Sequence, residues 1–257
     1  RLVDLRLFDP TCSLVAVILN GCLIFGRIPP AWRDGYTILI HKRGDPSQPG
    51  NFRPITLLPT LYKLLSGCLA TRLSKAASSL GLLSPQQKGF VPGVEGCQEQ
   101  SFLVEAAFEE ARDSGDQKRQ SIFSAFLDIQ NAFGSLPHRS LFKILRHIGL
   151  DTSFCKFVEH LYNDSRVELR VGVTGCLPFT ASAGVRQGDP LSPILFDLAI
   201  EPVIHRVLAR CRSGFAIGDA TLSICALADD LALFAGSATD LQSMVSEAES
   251  AARAIGF

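Results

Sequence analysis

The sequence predicts an α/β or α+β fold, because strand-like and helix-like segments alternate irregularly along the chain. The run LSICALADDLALFAG predicts an antiparallel β-hairpin with two aspartates at its turn. The run SIFSAFLDI is nearly all apolar and predicts a strand that is covered on both faces. Several other segments carry apolar residues at helical spacing, so we expect helices to pack against a sheet that contains these strands.

The length and composition indicate a folded core. The chain has 257 residues, 47 % of them hydrophobic, which suffices for one large domain or two smaller ones. No apolar run reaches the roughly 18 residues of a membrane span. The most apolar stretch near the start, Leu14 to Phe25, is interrupted by Asn20 and lacks a cleavage-site pattern. We therefore predict a core helix there, and an intracellular protein with no membrane association and no targeting signal.

The cysteine and histidine spacings argue against a zinc site or a disulfide framework. The eight cysteines are Cys12, Cys22, Cys68, Cys97, Cys155, Cys176, Cys211 and Cys225. None of them falls in a C-x-x-C pair, and the five histidines show no H-x-x-x-H spacing. This pattern predicts scattered core thiols in a reducing compartment.

Charge is distributed unevenly, although the formal net charge is zero. Residues 1–90 carry 11 Lys and Arg against 4 Asp, whereas residues 91–257 carry 14 Lys and Arg against 21 Asp and Glu. A basic part beside an acidic part suits a cleft that holds phosphates on one side and cations on the other. Ordinary solubility would also explain the distribution, and charge alone does not decide between the two.

The first half of the chain predicts a pair of strands followed by two helices. GYTILIHKRGDPSQPGNFRPI predicts a strand from Tyr36 to His41, a turn-rich loop and a second short strand. TLYKLLSGCLATRLSKAASSL predicts a helix from its apolar spacing. A second helix is predicted from Gln98 to Arg112. Its apolar positions are Phe102, Leu103, Ala106 and Ala107.

The second half predicts further helices and one more hairpin. Helices are expected at about Arg139 to Ile148 and Ser153 to Tyr162, and RVELRVGV and LPFTASAGV suggest a hairpin around TG. SPILFDLAIEPVIHRVLARC predicts a helix with Ser192 as N-cap and a bend at Pro202.

A last helix closes the sequence. TDLQSMVSEAESAARAIG predicts a helix that opens with a capping box from Thr239 to Gln242 and stops at Gly256. Both ends of the sequence lie in mid-pattern, so we expect it to be a segment of a longer protein.

Three carboxylates are expected to meet at one end of the sheet. Asp128 lies near the end of an apolar strand, and Asp229 and Asp230 lie at a hairpin tip between CALA and LALF. Their repulsion would be large unless cations sat among them, and oxygen ligands of this kind suit Mg²⁺. Two such ions about 4 Å apart can promote phosphoryl transfer. A merely solvated Asp-Asp turn remains the alternative, although such a turn does not need apolar flanks.

Several motifs, in order, resemble those of a reverse transcriptase. FLDIQNAFGSLPH, SAGVRQGDPLSP and ALADDLAL resemble three successive palm motifs of that family. ILIHKRGDPSQPGNFRPITLLPTLYKLLSGCLATRL is similar to the finger motifs that precede them, and LSPQQKGFVPG resembles the template-side motif between them. These motifs are most similar to those of non-LTR, LINE-type retrotransposon enzymes, and the resemblance covers nearly the whole chain.

The resemblance implies an α+β right-hand polymerase with fingers and palm. We expect fingers at residues 1–121, with a template-side segment at about 84–112, and a palm at residues 122–257 with an antiparallel sheet and packed helices. The chain stops before the family's primer-grip and thumb segments, so the thumb is expected to be absent. Thumb and endonuclease regions are expected in the full-length protein, and nuclear action is expected from the family.

The resemblance also implies the residues of the active site. Asp128 and Asp229 match the metal ligands, with Asp230 as an accessory acid, for two Mg²⁺ ions that Mn²⁺ could replace. Residues that match nucleotide-binding positions are Lys42, Arg53, Phe133, Gln187 and Gly188. Residues that match a template-contacting segment are Gln87, Gly89 and Phe90. The ring of Phe133 matches the steric gate that excludes a 2′-hydroxyl, although a core phenylalanine is an equal reading from the residue alone.

Two residues depart from the family pattern. Gly134 stands where the family commonly has an acid, and Asn131 stands where it often has Lys. The leading hypothesis is an RNA-directed DNA polymerase that uses an RNA template, a DNA primer and dNTP. The alternatives are a catalytically silent fold that binds nucleic acid or protein, from a decayed element, and an RNA-templated RNA polymerase, which Phe133 disfavours.

Overall fold

The structure, a computed structural model, describes Asp9 and residues 11–113, 121–163, 166–171, 174–175, 179–211 and 214–257. The helices are α1 (Ser13–Ile24), α2 (Pro30–Arg33), α3 (Thr60–Ser79), α4 (Gly96–Asp113), α5 (Ala132–Ser135), α6 (His138–His147), α7 (Thr152–Tyr162), α8 (Ser192–Arg210) and α9 (Ala238–Ile255). The strands are β1 (Gly35–His41), β2 (Phe52–Leu57), β3 (Phe123–Leu127), β4 (Arg166–Val171), β5 (Thr174–Gly175), β6 (Phe179–Thr180), β7 (Phe215–Ile217), β8 (Ala220–Leu222), β9 (Ile224–Leu227) and β10 (Asp230–Ala235). The mixture of helices and sheets confirms the coarse fold class, and the predicted helices are all present.

The chain forms two compact units, each built from two separate stretches. Unit 1 contains Arg1–Arg72 and Leu141–Ser192, and unit 2 contains Leu73–Ser140 and Pro193–Phe257. Each unit is therefore discontinuous in sequence. The reason is strand pairing: β4 pairs with β1 in one sheet, so the stretch that carries β4 belongs with the start of the chain.

The sheet of unit 1 is built on the predicted pair of strands. β1 and β2 pair antiparallel from Tyr36 opposite Leu57 to His41 opposite Phe52, which confirms that prediction. The strand order is β2-β1-β4-β5, with β6 also paired to β4. β1 and β4 run parallel, whereas β5 and β6 return antiparallel to β4. The two segments predicted to form a hairpin do pair, as β4 with β5 and β6. TG itself is β5 and not the turn, because Thr174 pairs with Val171. Residues 172–173 and 176–178 lie outside the described residues.

The main sheet of unit 2 has the strand order β3-β10-β9, and all its pairs are antiparallel. The predicted β9–β10 hairpin is confirmed. The expectation that β3 is covered on both faces is wrong, because β3 is an edge strand and its Phe126 is 67 % exposed. Helix α9 packs against β10 and β3, and α4 packs against β9 and the β7–β8 hairpin.

Helices α8 and α9 supply much of the core of unit 2. Five successive turns of α8 contribute fully or almost fully buried side chains, among them Leu195, Phe196, Leu198, Ile200 and Ile204. Pro202 lies inside this helix. In α9 the buried positions recur three or four residues apart, as expected for a helix with one face on a sheet. These positions are Met244, Ala248, Ala251 and Ile255.

The start of α9 differs from the predicted capping box. Ser237 is the N-cap, and its hydroxyl accepts a hydrogen bond from the amide of Asp240, so Thr239 and Gln242 already lie within the helix. Ser237 takes this position because its backbone is extended, with φ of −141°. The predicted stop at Gly256 is confirmed, and this glycine ends the helix in a left-handed conformation with φ of 104°.

Two helices expose apolar side chains that the sequence led us to place in the core. α1 is a helix as predicted, but within it only Leu19 and Cys22 are buried. Its exposed residues are Leu14, Val17, Ile18 and Ile24, followed by Phe25. In α4, Phe102 is 70 % exposed, and Ala107 supplies the buried contact instead. Within the described ranges, each helix is too short or too polar to cross a membrane.

Candidate active site

The β9–β10 turn fixes two of the predicted acids. Leu227 pairs with Asp230, which closes a two-residue turn made of Ala228 and Asp229. Ala228 has φ of 57°, in the left-handed region that turns of this length usually give to Gly or Asn. A side chain with a Cβ in that region costs about 1–2 kcal/mol, so this turn is strained next to Asp229.

Strand pairing brings the third acid to the same end of the sheet. β3 and β10 pair up to Leu127 opposite Leu231. Asp128 follows Leu127 and Asp230 precedes Leu231, so the antiparallel register places these two aspartates opposite each other. Asp128 and Asp230 are exposed and Asp229 is half-buried.

The acids act on one another. Burial raises the pKa of Asp229, and the charges of Asp230 and Asp128 raise it further, against hydrogen bonding to its own backbone, which lowers it. A carboxyl group in this position gains from a nearby cation, which offsets both the burial and the like charges.

The described residues contain no group of three or more His, Cys, Asp or Glu side chains that could hold a metal ion. The predicted three-aspartate ligand set is therefore not preformed in this structure. Mg²⁺ does not need such a cage, since it is commonly bound by one or two carboxylates and completes its shell with water and substrate phosphates. The oxygen donors of Asp128 and Asp229 fit that mode of binding.

Asp128 and Asp230 open onto a groove between α4 and the sheet. The groove has a volume of about 700 Å³. Exposed Phe126 forms part of its floor, and Glu105 and Arg112 line it from α4. Asp229, in the β9–β10 turn, is not among the residues that line this groove. The groove thus has an apolar floor and carries two of the three carboxylates at its edge.

Two buried acids of α8 lie behind the turn, and the sequence analysis missed both. Asp197 is fully buried, and no hydrogen-bond partner for its carboxylate occurs among the described residues. Burial, with the charges of Glu201 and Asp229, raises the pKa of Asp197 to about 8. Burial raises the pKa of Glu201 to about 7, although Ser84 donates a hydrogen bond to it at 3.2 Å. An acid within SPILFDLAIE, with a second acid four residues later, was the available signal.

The predicted template segment packs along β9. Lys88 donates its amide to the carbonyl of Ala226 at 2.9 Å, and the amide of Ala226 donates to Gln86 at 3.1 Å. Gln87 is 2 % exposed, and its side chain bonds to the backbone of Ala228. A contact between Gln87 and a template stays a prediction. Within the protein, Gln87 contacts the Ala228–Asp229 turn, which we call the carboxylate turn.

The predicted steric gate is held by two other rings. Phe133 stacks on Phe196, with centroids 4.5 Å apart and an angle of 12° between the rings. Phe90 meets Phe133 edge-on at 5.9 Å. Phe90 is 54 % exposed and has φ of 50°, so a strained residue of the predicted template segment touches the predicted gate.

Asn131 and Gly134, the two residues that depart from the family pattern, contact each other. Asn131 adopts a left-handed conformation, with φ of 52°, and its carbonyl accepts a hydrogen bond from the amide of Gly134 at 2.8 Å. A Cβ on Gly134 would lie 2.5 Å from the side-chain nitrogen of Asn131. Any larger residue at position 134 would have to displace that amide, so the two departures form one local arrangement.

In unit 1, the predicted nucleotide-binding residues lie on the β1–β2 hairpin and on a turn beside it. Lys42 and Arg53 are exposed, and Arg53 pairs with Ile40 across the hairpin. The amide of Thr56 donates to the carbonyl of Gln187 at 2.7 Å, which docks the turn on β2. Gly188 has φ of 109°, and a Cβ there would lie 2.6 Å from the carbonyl oxygen of Thr56, so only glycine fits.

A buried polar network supports that turn, and the sequence analysis did not identify it. The hydroxyl of Tyr62 donates to Asp189 at 2.6 Å, and Arg186 donates to the same hydroxyl at 3.2 Å. The guanidinium of Arg186 also lies over the rings of Tyr62 and Tyr162. Burial raises the pKa of Tyr62 well above its usual range, so Tyr62 remains a neutral donor. The network flanks Gln187 on both sides and holds its backbone.

We expect Asp197 to make the folded state less stable as pH rises. In the folded state Asp197 keeps its proton up to about pH 8, whereas in the unfolded chain it loses the proton near 3.8. Between these values unfolding releases a proton, so the free energy of unfolding falls with increasing pH, by an amount on the order of a few kcal/mol. Denaturant unfolding at a series of pH values measures this slope.

Asp197→Asn is the matched variant, because it keeps the shape and removes the ionisation. The difference in stability between the variant and the original chain should grow in the variant's favour from about pH 4 to pH 8. A difference that is constant with pH would show that Asp197 ionises normally.

Comparisons of the sequence with known proteins identify the family of this chain. The family model described as "Reverse transcriptase (RNA-dependent DNA polymerase)" matches residues 40–257. A Pol polyprotein from the R2DM retrotransposable element of Drosophila melanogaster is 32 % identical over 88 % of this chain and 20 % of that protein. A Pol polyprotein from an R2 element of Nasonia vitripennis is 31 % identical over 90 % of this chain and 22 % of that protein. The chain thus spans about a fifth of the length of these relatives.

Among solved structures, apo telomerase from Candida tropicalis, truncated from its C-terminal domain, is similar in fold. The TM-score is 0.59 at 13 % identity, over 88 % of this chain and 48 % of that one. The retrotransposable-element relatives confirm the resemblance that the motifs indicated. With a family model that matches most of its length, the chain belongs to the reverse transcriptase (RNA-dependent DNA polymerase) family.

Proposed function

We propose that this chain is the catalytic part of an RNA-directed DNA polymerase of a non-LTR retrotransposon. The 3′-hydroxyl oxygen of a DNA primer attacks the α-phosphorus of a dNTP, a new phosphodiester bond forms, and the bond to the β-phosphate breaks with release of pyrophosphate. The hydroxyl proton leaves to solvent. The meeting of Asp128 with the β9–β10 turn at one end of a sheet, in a chain of this family, carries the proposal.

Asp128 and Asp229 would hold divalent cations, two Mg²⁺ ions in our proposal, with Mn²⁺ as a substitute. The raised pKa of Asp229 and the proximity of two more acids support a cation at this point. When bound, such ions stabilise the negative charge that develops on oxygen during phosphoryl transfer. Asp230 acts as an accessory acid that raises the local negative potential.

The proposed nucleotide contacts follow the resemblance and fit the local structure. Lys42 and Arg53 are exposed cations on the β1–β2 hairpin and would pair with the triphosphate. Gly188 packs closely against the backbone of Thr56, and Thr56 also holds the carbonyl of Gln187, so both residues have fixed positions from which to contact a nucleotide. The ring of Phe133 would exclude a 2′-hydroxyl, and its stacking on Phe196 supports a fixed position for that ring.

The proposed template contacts are Phe90 and Gly89, with Gln87 in a smaller part. Phe90 is exposed and offers a ring on which a base can stack. The amide of Gln87 is already bonded within the protein, which favours an indirect contribution.

We also propose that unit 2 corresponds to the palm and unit 1 to the fingers. Unit 2 contains the antiparallel sheet with all three aspartates, and unit 1 contains the hairpin with the phosphate-binding cations. This assignment moves residues 73–121 from the expected fingers to the palm and residues 141–192 in the other direction. RNA template, DNA primer, and thumb and endonuclease regions elsewhere in the full-length protein remain part of the proposal, as does nuclear action.

The alternatives have less support. A silent binding fold gains nothing from a half-buried aspartate beside two others, because burial and repulsion both cost free energy. Asn131 and Gly134 motivated that reading, but they form a self-consistent turn. An RNA-templated RNA polymerase would not need the ring of Phe133 against the sugar.

Asp229→Asn should lower primer extension on an RNA template by about 100-fold or more, since several kcal/mol of transition-state stabilisation depend on the bound cations. Single-nucleotide addition by the complete gene product measures this. Asp219→Asn is the matched control, because Asp219 is also an aspartate in a two-residue β-turn, exposed between β7 and β8. Undiminished extension by Asp229→Asn would end the polymerase assignment.

Mg²⁺ or Mn²⁺ should raise the melting temperature, because a ligand that binds only the folded state stabilises it. For a chain of this size we expect about 2–4 °C for each kcal/mol of binding free energy. The shift should shrink in Asp128→Asn and persist in Asp219→Asn. Equal melting temperatures with and without the cations would favour the silent fold.

Phe133→Val should admit ribonucleotides, since a smaller side chain leaves room for the 2′-hydroxyl. We expect discrimination between dNTP and rNTP, measured as the ratio of kcat/KM values, to fall by about 10-fold or more. Phe102→Val is the control, because Phe102 is an exposed phenylalanine of α4 that does not line the groove. Unchanged discrimination in Phe133→Val would make Phe133 a packing residue only.

A further inference from the structure

The residues that precede Phe90 pack along β9 and are joined to it by an isolated bridge. Gln87 makes a parallel bridge with Ala226, flanked by the hydrogen bonds of Lys88 and Gln86 to the same residue. Gln100 of α4 donates to the carbonyls of both Gln86 and Ala226, at 2.8 and 3.2 Å. The segment is therefore fixed on both sides, and Gln87 faces the end of β9.

The carboxamide of Gln87 satisfies the backbone of the carboxylate turn. Its oxygen accepts hydrogen bonds from the amides of Ala228, at 2.9 Å, and Gly89, at 2.8 Å. Its nitrogen donates to the carbonyl of Ala228 at 3.4 Å. One buried side chain thus binds both polar backbone groups of Ala228, and such groups are costly to leave unsatisfied when buried.

The strained backbone of Ala228 depends on contacts such as those from Gln87. Its φ of 57° is disfavoured for a residue with a Cβ, and a conformation of this kind persists only where the surroundings determine it. Gly89 adds to the restraint, since a Cβ on it would lie 2.3 Å from the nitrogen of Ala228. The backbone of the segment is therefore packed directly on the turn.

The conformation of Ala228 sets the direction of the next side chain, that of Asp229. We propose that Gln87 is a positioning residue for nucleotide transfer, which acts by holding the Ala228–Asp229 turn in the geometry that aims the Asp229 carboxylate. This inference rests on the proposed function, and it assigns Gln87 an action through the protein instead of a direct hold on the template.

Gln87→Met tests the proposal, because methionine keeps the length and bulk of the side chain and removes its hydrogen bonds. We expect the rate of nucleotide addition in a single turnover to fall about 10- to 100-fold, as expected when a catalytic group is misplaced by about 1 Å. The affinity for an RNA–DNA template-primer should change by less than about threefold. Gln242→Met, at an exposed glutamine of α9, is the control and should leave both quantities unchanged.

A second variant separates positioning from simple support of the fold. Ala228→Gly makes the left-handed turn accessible without strain. In that background, Gln87→Met should lower the rate by less than about threefold, because the two residues act through the same turn and their effects are not additive. The double variant also provides the readout if Gln87→Met alone does not fold. All assays use the complete gene product, with the amplitude of the first turnover as the count of active molecules.

Three outcomes would overturn the proposal. Weaker template binding at an unchanged rate would make Gln87 a template contact. A smaller first-turnover amplitude at an unchanged rate would make it a residue of the fold only. An equal loss of rate in the Ala228→Gly background would show that Gln87 does not act through the turn. None of these results would contradict the polymerase assignment itself, because the Asp229→Asn variant tests that assignment separately.

Discussion

Antiparallel pairing of β10 with both β3 and β9 is the constraint on which the candidate site depends. Two of the three acids lie on adjacent positions of one hairpin, and the register with β3 brings Asp128 to the same edge. The charges of Asp128 and Asp230 raise the pKa of Asp229, and the strand pairing keeps the three residues at one end of the sheet. A sheet end that concentrates negative charge in this way favours a divalent cation and is unfavourable without one.

Each unit contains buried polar groups that hold a turn of its own backbone in place. In unit 2, Gln87 bonds to the turn that carries Asp229, and in unit 1 a network of Tyr62, Arg186 and Asp189 flanks the turn with Gln187. Glycines complete both arrangements where backbone meets backbone. Side chains of this kind reduce the freedom of the backbone segments that they bind.

Local sequence patterns predicted the helices and strands, whereas long-range packing determined which side chains are exposed and which residues meet. The β9–β10 hairpin and helices α3, α6 and α7 could be predicted because their apolar spacing is local. The exposure of Phe126 could not, because it follows from the place of β3 at the sheet edge. The aspartates could be identified from their apolar flanks and the family motifs. The contact of Gln87 with Ala228 and the burial of Asp197 near Asp229 could not, because each depends on residues far away in sequence.

The parallel pairing of β1 with β4 has a consequence for synthesis on the ribosome. After β1 leaves the exit tunnel, its partner strand emerges only when well over a hundred further residues have been translated. During that interval the nascent β1–β2 hairpin presents one edge with unpaired amides and carbonyls, a surface on which strands of other chains can add. Efficient production of this polypeptide therefore depends on shielding that edge, by a chaperone or by slow association with its neighbours, until β4 arrives.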